Sequence, residues 1–350
     1  MSAGRSGATG AERMPLVDSL KALSSQLIVL HHLAFYGPMS DAAYRLMPTL
    51  IDWLYDHARA AVQVFLVIGG FLAARGLAPD GESIVVQPHR LVWRRYRRLA
   101  LPYIFALLVC IVMAAMVRPW LPDGSVPHSP ALAQLGAHAL LLHDILGHEA
   151  LSAGVWYVAI DFQLFALFVL ILWLSGLLAK RAPQLRSIAL WLVGTLALAS
   201  LFYFNRHDSW DAWAVYFFGA YALGAFAWWA SDLKRPSAML GIVALLTGAA
   251  LVVDFRERIL VALLVALLLG ASRRTSKLTD WQPPRPLIQL GQMSYSVFLI
   301  HFPVCLLINA LWKHYLPADP LLGLLGMIVA WGASTLAGSQ MYRWVESRIS

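Results

Sequence analysis

Apolar runs long enough to cross a bilayer recur along almost the whole chain, and they leave few folds open. About 30 Å of hydrocarbon needs roughly 20 consecutive helical residues. Lipid offers no partner to an unsatisfied backbone group, so only helices and closed barrels cross it. The runs fall near 16–37, 58–77, 99–117, 155–179, 187–204, 211–230, 237–253, 257–271, 288–312 and 321–345. They predict an all-α, polytopic integral membrane protein with about ten transmembrane helices. The least secure pair is 237–253 and 257–271, which are short and separated only by DFRE. The stretch ALAQLGAHALLLH, residues 131–143, is too short to cross and either lies at the interface or re-enters. Composition agrees: 59% of residues are hydrophobic and 13% charged, too apolar for one soluble core with a solvated surface.

Charge placement sets an orientation. Of 27 Lys and Arg, nineteen fall in the segments on one side of the predicted spans and seven on the other, with Lys21 assigned to the membrane. The positive-inside rule then puts both termini in the cytoplasm of a multi-pass plasma membrane protein, with a bacterial inner membrane expected. The net charge of +8 is explained by this topology and by contact with anionic lipid. It is spread over many loops, which argues against nucleic acid as a partner. The opening MSAGRSGATGAERM lacks the apolar core of a secretory signal. Residues 1–14 read as a disordered cytoplasmic leader and 15–350 as a single transmembrane domain. Cys110 and Cys305 both lie in apolar segments and suggest neither a disulfide framework nor a metal site.

Four places carry possible chemistry. In the first run, LVDSLKALSSQLIVLHHLAFYG, Lys21 and His32 are eleven residues apart. On an α-helix this spacing brings them within roughly 20° of one face, about 16 Å apart along the axis. Asp18 and Ser25 fall on or near the same stripe. Ionisable groups at membrane depth are expensive and mark functional interiors. His32 shares the Lys21 face, whereas His31 is turned roughly 80° away. A neutral imidazole there suits a general base, and a neighbouring Lys or Asp sets its protonation. The alternative is a histidine that only hydrogen-bonds a neighbouring helix.

The second place is WRRYRRLALPY, residues 93–103, where Arg94, Arg95, Arg97 and Arg98 form a dense array of fork-shaped donors suited to phosphates. An ordinary positive-inside anchor with an aromatic belt fits too. The third is VWYVAIDFQLFAL, residues 155–167, with Asp161 and Gln163 inside an apolar span. Asp161 either pairs with Lys21 or orients His32, or it belongs to a buried structural network. The fourth is LGQMSYSVFLIHFPV, residues 290–304, where Pro303 frees backbone near His301. A structural role suits His301 better than a catalytic one. His57, His138, His143 and His148 fall towards the external side with no metal-binding spacing. Motifs of zinc peptidases, phosphate-binding loops and serine hydrolases do not occur.

Taken in order, these segments resemble the membrane acyltransferase-3 family of O-acyltransferases. LVDSLKALSSQLIVLHH is similar to that family's opening helix, with Lys21 at the usual Arg and His32 as the motif histidine. AVQVFLVIGGFLAARGL resembles its second helix, with Gly69 where Ser is common. Arg94, Arg95 and Arg98 fit an R-R-x-x-R segment, Asp161 stands where a Glu is usual, and Tyr295, Ser296, His301 and Pro303 match a late Y-S-x-x-L-x-H-x-P segment. The resemblance spans about residues 15–345 without an appended esterase-like domain.

The resemblance implies transfer of an acyl group, usually acetyl, from cytoplasmic acyl-CoA to a hydroxyl of a cell-envelope or exported glycan or glycolipid, with no metal. Arg94, Arg95 and Arg98 would hold the CoA phosphates, His32 would activate the acceptor, Lys21 would position the donor and Asp161 would tune the imidazole. Asp18, Tyr295 and His301 would be supporting residues. Lys at 21 keeps the charge but loses the bidentate fork. Two rivals remain: a multi-helix transporter, and a different membrane O-acyltransferase fold with its catalytic histidine late in the chain, at His301.

Overall fold

The computed structural model describes residues 14–121, 124, 126–233, 235–236, 238–275 and 281–349. The expected leader lies outside them apart from Met14. Helix α1 (Pro15–Phe35) starts on a proline, whose missing N–H is harmless in a first turn. Two short helices that the apolar runs did not signal follow it, α2 (Pro38–Ala43) and α3 (Pro48–Asp56). Next come α4 (Val62–Leu77), α5 (Pro88–Val117), α6 (Leu132–Ala139), α7 (Val155–Arg181) and α8 (Ile188–Phe202). The rest are α9 (Ala214–Ala230), α10 (Ala238–Val253), α11 (Glu257–Ser272), α12 (Arg285–Gln292), α13 (Ser294–Tyr315) and α14 (Pro320–Trp344). No strand occurs among the described residues.

Each of the ten apolar runs lies on helix, but they are not equivalent. Among the described residues, six helices are long and apolar enough to cross a membrane: those of α4, α5, α7, α8, α13 and α14. Helix α1 has 21 residues but carries Asp18, Lys21, His31 and His32. Helices α9, α10 and α11 are only 17, 16 and 16 residues long. The run 288–312 is split at Met293 into α12 and α13. Gly291, in the last turn of α12, lets that turn approach α1 closely, because a Cβ there would lie 2.1 Å from the Asp18 carbonyl oxygen. The end of α12 is thus pinned to the backbone of α1, and α13 starts afresh.

Inside lipid, helices gain little from the hydrophobic effect when they meet, so close packing of small residues becomes the main cohesive device. The contact of α4 with α9 illustrates it. A Cβ on Gly70 would stand 1.8 Å from the Tyr221 carbonyl oxygen, and one on Gly224 would stand 1.8 Å from that of Val67. Reciprocal glycines therefore let the two backbones touch. Helix α9 is buried on nearly all faces, including Phe218, Tyr221 and Trp229, which is why its run shows no polar stripe. The segment around α6 packs against the arginine-bearing half of α5, where the Tyr96 hydroxyl donates to the Ala139 carbonyl at 2.7 Å. That fits re-entry. Lys21, Arg98 and Glu346 mark one end of the bundle. The loops after α1, α5, α8 and α10 enclose a cavity at the other.

Candidate active site

Helix α1 runs unbroken from Pro15 to Phe35, so the helical spacing of Lys21 and His32 holds and the stripe joins the two ends of the bundle. At the cavity end, His32 is half-buried and lines a space of about 1260 Å³. Phe298 and Phe302 from α13, Gln63 from α4, Trp156 from α7 and Tyr36 share that wall. Asp56, Arg59, Glu149, Asp211 and Arg258 stand among the residues lining the same space.

His32 Nδ1 lies 2.8 Å from Nε2 of His301, with ring centroids 4.9 Å apart and planes inclined by 14°. His301 is fully buried and is not part of the cavity wall. Its Nδ1 is 2.7 Å from the Phe298 carbonyl oxygen. The carbonyl opposite Pro303 in the helical register is that of Leu299, so the backbone group His301 engages is not the one proline frees. His31 is held differently: its Nδ1 donates to the Leu54 carbonyl at 2.9 Å and ties α1 to α3.

Towards the other end, Asp161 is buried on α7 and accepts from Arg95 Nη2 at 2.6 Å. Of the three readings of Asp161, a pair with Lys21, orientation of His32 or a buried structural network, this ion pair favours the third. Its carboxylate is paired with a guanidinium, and His32 Nδ1 is paired with His301 instead. Arg95 also lies over the Phe165 ring at 5.3 Å. The arginine segment is thus divided. Arg95 turns inward, whereas Arg94, Arg97 and Arg98 are exposed. Arg98 and Arg95 lie close enough to Lys21 to bear on its charge, together with Asp18 and Glu346. Glu346 in turn accepts from the Ser296 hydroxyl at 2.6 Å. The Tyr295 hydroxyl donates to the Leu99 carbonyl at 2.9 Å and so fixes α13 against the arginine helix. Asp18 presents its carbonyl to Gly291. Gly69 sits beside the ion pair, its Cβ position 3.6 Å from Asp161 Oδ1.

The structure brings together His32 with His301, Arg95 with Asp161, and Lys21 with Asp18, Arg98 and Glu346. Sequence reasoning did not foresee that His301 is the partner of His32. Their separation of 269 residues puts the pairing beyond any periodicity. The only available signal was two unexplained histidines in two apolar helices. His138 and His143 are buried and stack at 4.2 Å in and just after α6. Cys110 and Cys305 are both buried free thiols, the first donating to the Leu151 carbonyl at 3.2 Å.

One end of the α1 stripe therefore holds a charged cluster around Lys21 and the other a cavity-facing imidazole, His32. Comparison with known families gives a match to the sequence profile described as an acyltransferase domain, over residues 15–338. Neither the curated proteins nor the solved structures give a match. With nearly its whole length matched, and six helices able to cross a membrane, the chain belongs to the membrane acyltransferase-3 family.

Proposed function

We propose that the protein is a membrane O-acyltransferase that moves an acyl group, acetyl first among them, from acyl-CoA to a hydroxyl of a cell-envelope or exported glycan or glycolipid. The observation that carries this reading is His32, an imidazole on the wall of a cavity of about 1260 Å³ and on the same helix face as Lys21. The positive-inside bias assigns the arginine end to the cytoplasm of a multi-pass plasma membrane, with ten crossings and both termini inside. Acyl-CoA then arrives at Lys21, Arg94 and Arg98, whose charges match its phosphates. Arg95 is committed to Asp161 and serves mainly to hold α5 against α7. The about 16 Å from Lys21 to His32 is spanned by the extended pantetheine arm.

The acceptor occupies the opposite cavity. Carboxylates such as Asp56 and Asp211 accept hydrogen bonds from sugar hydroxyls, and Trp156 and Phe217 offer flat apolar faces to sugar rings. His32 takes the proton of the acceptor hydroxyl as the oxygen attacks the thioester carbonyl. The C–S bond breaks, and the departing thiolate recovers that proton from the imidazolium. No metal enters this scheme.

The decisive experiment compares cell-envelope glycans from a deletion strain and from strains complemented with wild-type protein or with His32→Ala. An ester that returns with wild-type protein but not with His32→Ala, at equal accumulation, supports the reading. Labelled acetyl-CoA supplied to membranes tests the donor directly. Full activity of His32→Ala, or solute uptake with no acyl-CoA consumed, overturns it.

A further inference from the structure

We infer that His301 is a positioning residue that fixes the tautomer of His32, so that His32 reacts through Nε2. The inference rests on the acyl-transfer reading and assigns the atom that performs it.

The Phe298 carbonyl can only accept, so His301 Nδ1, at 2.7 Å from it, must carry hydrogen. A fully buried imidazole beside a second imidazole is held neutral by the cost of burying charge. Neutral His301 with hydrogen on Nδ1 has a bare Nε2, which accepts from His32 Nδ1 at 2.8 Å. Hydrogen on His32 Nδ1 leaves its Nε2 bare. Carbonyl, buried imidazole and cavity-facing imidazole thus form a directional chain ending in a lone pair.

The same geometry sorts the two histidines. Both nitrogens of His301 are occupied and its ring is sealed from the cavity, so it meets no acceptor hydroxyl. His32 lines the cavity, and among the described residues nothing bonds its second nitrogen. When Nε2 takes a proton, the Nδ1–H bond to His301 becomes charge-assisted and strengthens. That gain is realised only as charge develops, so it raises kcat and leaves ground-state binding alone.

Two substitutions separate this role from packing. His301→Gln keeps an acceptor oxygen near the former Nε2, whereas His301→Leu fills space without one. In full-length protein in lipid nanodiscs, His301→Leu is expected to lower kcat by about 10²–10⁴-fold with both KM values held. His301→Gln should recover about tenfold or more of that loss. Equal losses in two folded variants, or wild-type kcat in His301→Leu, overturn the inference. Nitrogen-15 spectra of histidine-labelled wild-type protein read the tautomer without turnover. Hydrogen on His32 Nδ1 supports the assignment and hydrogen on Nε2 overturns it, even where His301→Leu fails to accumulate or acyl transfer itself is disproved.

Discussion

Arg95 on α5 and Asp161 on α7 close a 2.6 Å ion pair in which the carboxylate is almost wholly buried, 66 residues apart in sequence. Removing one partner of such a pair strands a charge, at a cost of about 3–5 kcal/mol when burial is complete. Arg95 keeps 27% of its side chain exposed, so about 2–3 kcal/mol is expected here. Asp161→Asn should lower the unfolding midpoint in detergent, and so should Arg95→Met. The double variant should cost less than the sum of the two. Strict additivity would show that the pair contributes nothing.

Lys21 lies among Asp18, Arg95, Arg98 and Glu346. If its charge meets the donor, Lys21→Met should raise the KM for acyl-CoA by roughly 10–100-fold, the worth of one charge-assisted hydrogen bond. Lys21→Arg should restore most of it. A fall in kcat at unchanged donor KM would move Lys21 out of donor binding.

Gly70 and Gly224 leave no room for a methyl group between α4 and α9. Alanine at either position meets a backbone carbonyl rather than a movable side chain, so the helices must separate. Overpacking of this kind costs about 1–3 kcal/mol or more. Gly224→Ala is expected to reduce accumulation and thermal stability more than Gly241→Ala, where a Cβ meets nothing within 4 Å. Equal behaviour of the two would refute the close approach.

Two histidine sites outside the spanning helices give opposite pH limbs. The hydrogen bond that His57 Nδ1 donates to the Glu257 carboxylate, at 2.8 Å, raises His57 above the usual 6.5. Its contribution is complete below 6.5 and is lost as pH rises through the raised value. Burial pushes His138 and His143 down to about 4. The unfolded chain then binds protons that the fold refuses, and stability falls as pH drops from 6.5 towards 4. His57→Gln should flatten the alkaline limb of the unfolding midpoint, and His143→Phe the acid limb. Unaltered limbs would sink these assignments.

Helix positions and the Lys21–His32 face were legible because both depend on a helix's own period and length. The partners were not. Periodicity tells which side of α5 bears Arg95, but not that Asp161 lies across from it. The close approach of Gly291 to the backbone at Asp18 was hidden for the same reason, since it joins distant segments. Helices α2 and α3 escaped notice because a span-length criterion passes over short amphipathic turns. The arginine segment was read as one array although its members face different neighbours.

The distance in sequence between the two histidines has a consequence for biogenesis. His32 is made with α1, whereas His301 follows only after 269 more residues. Until α13 docks on α1, the imidazole facing the cavity has no neighbour to set its hydrogen. On the proposed reading, a nascent chain therefore carries its donor-facing charges before its base is complete, and the reaction waits until α13 has been made.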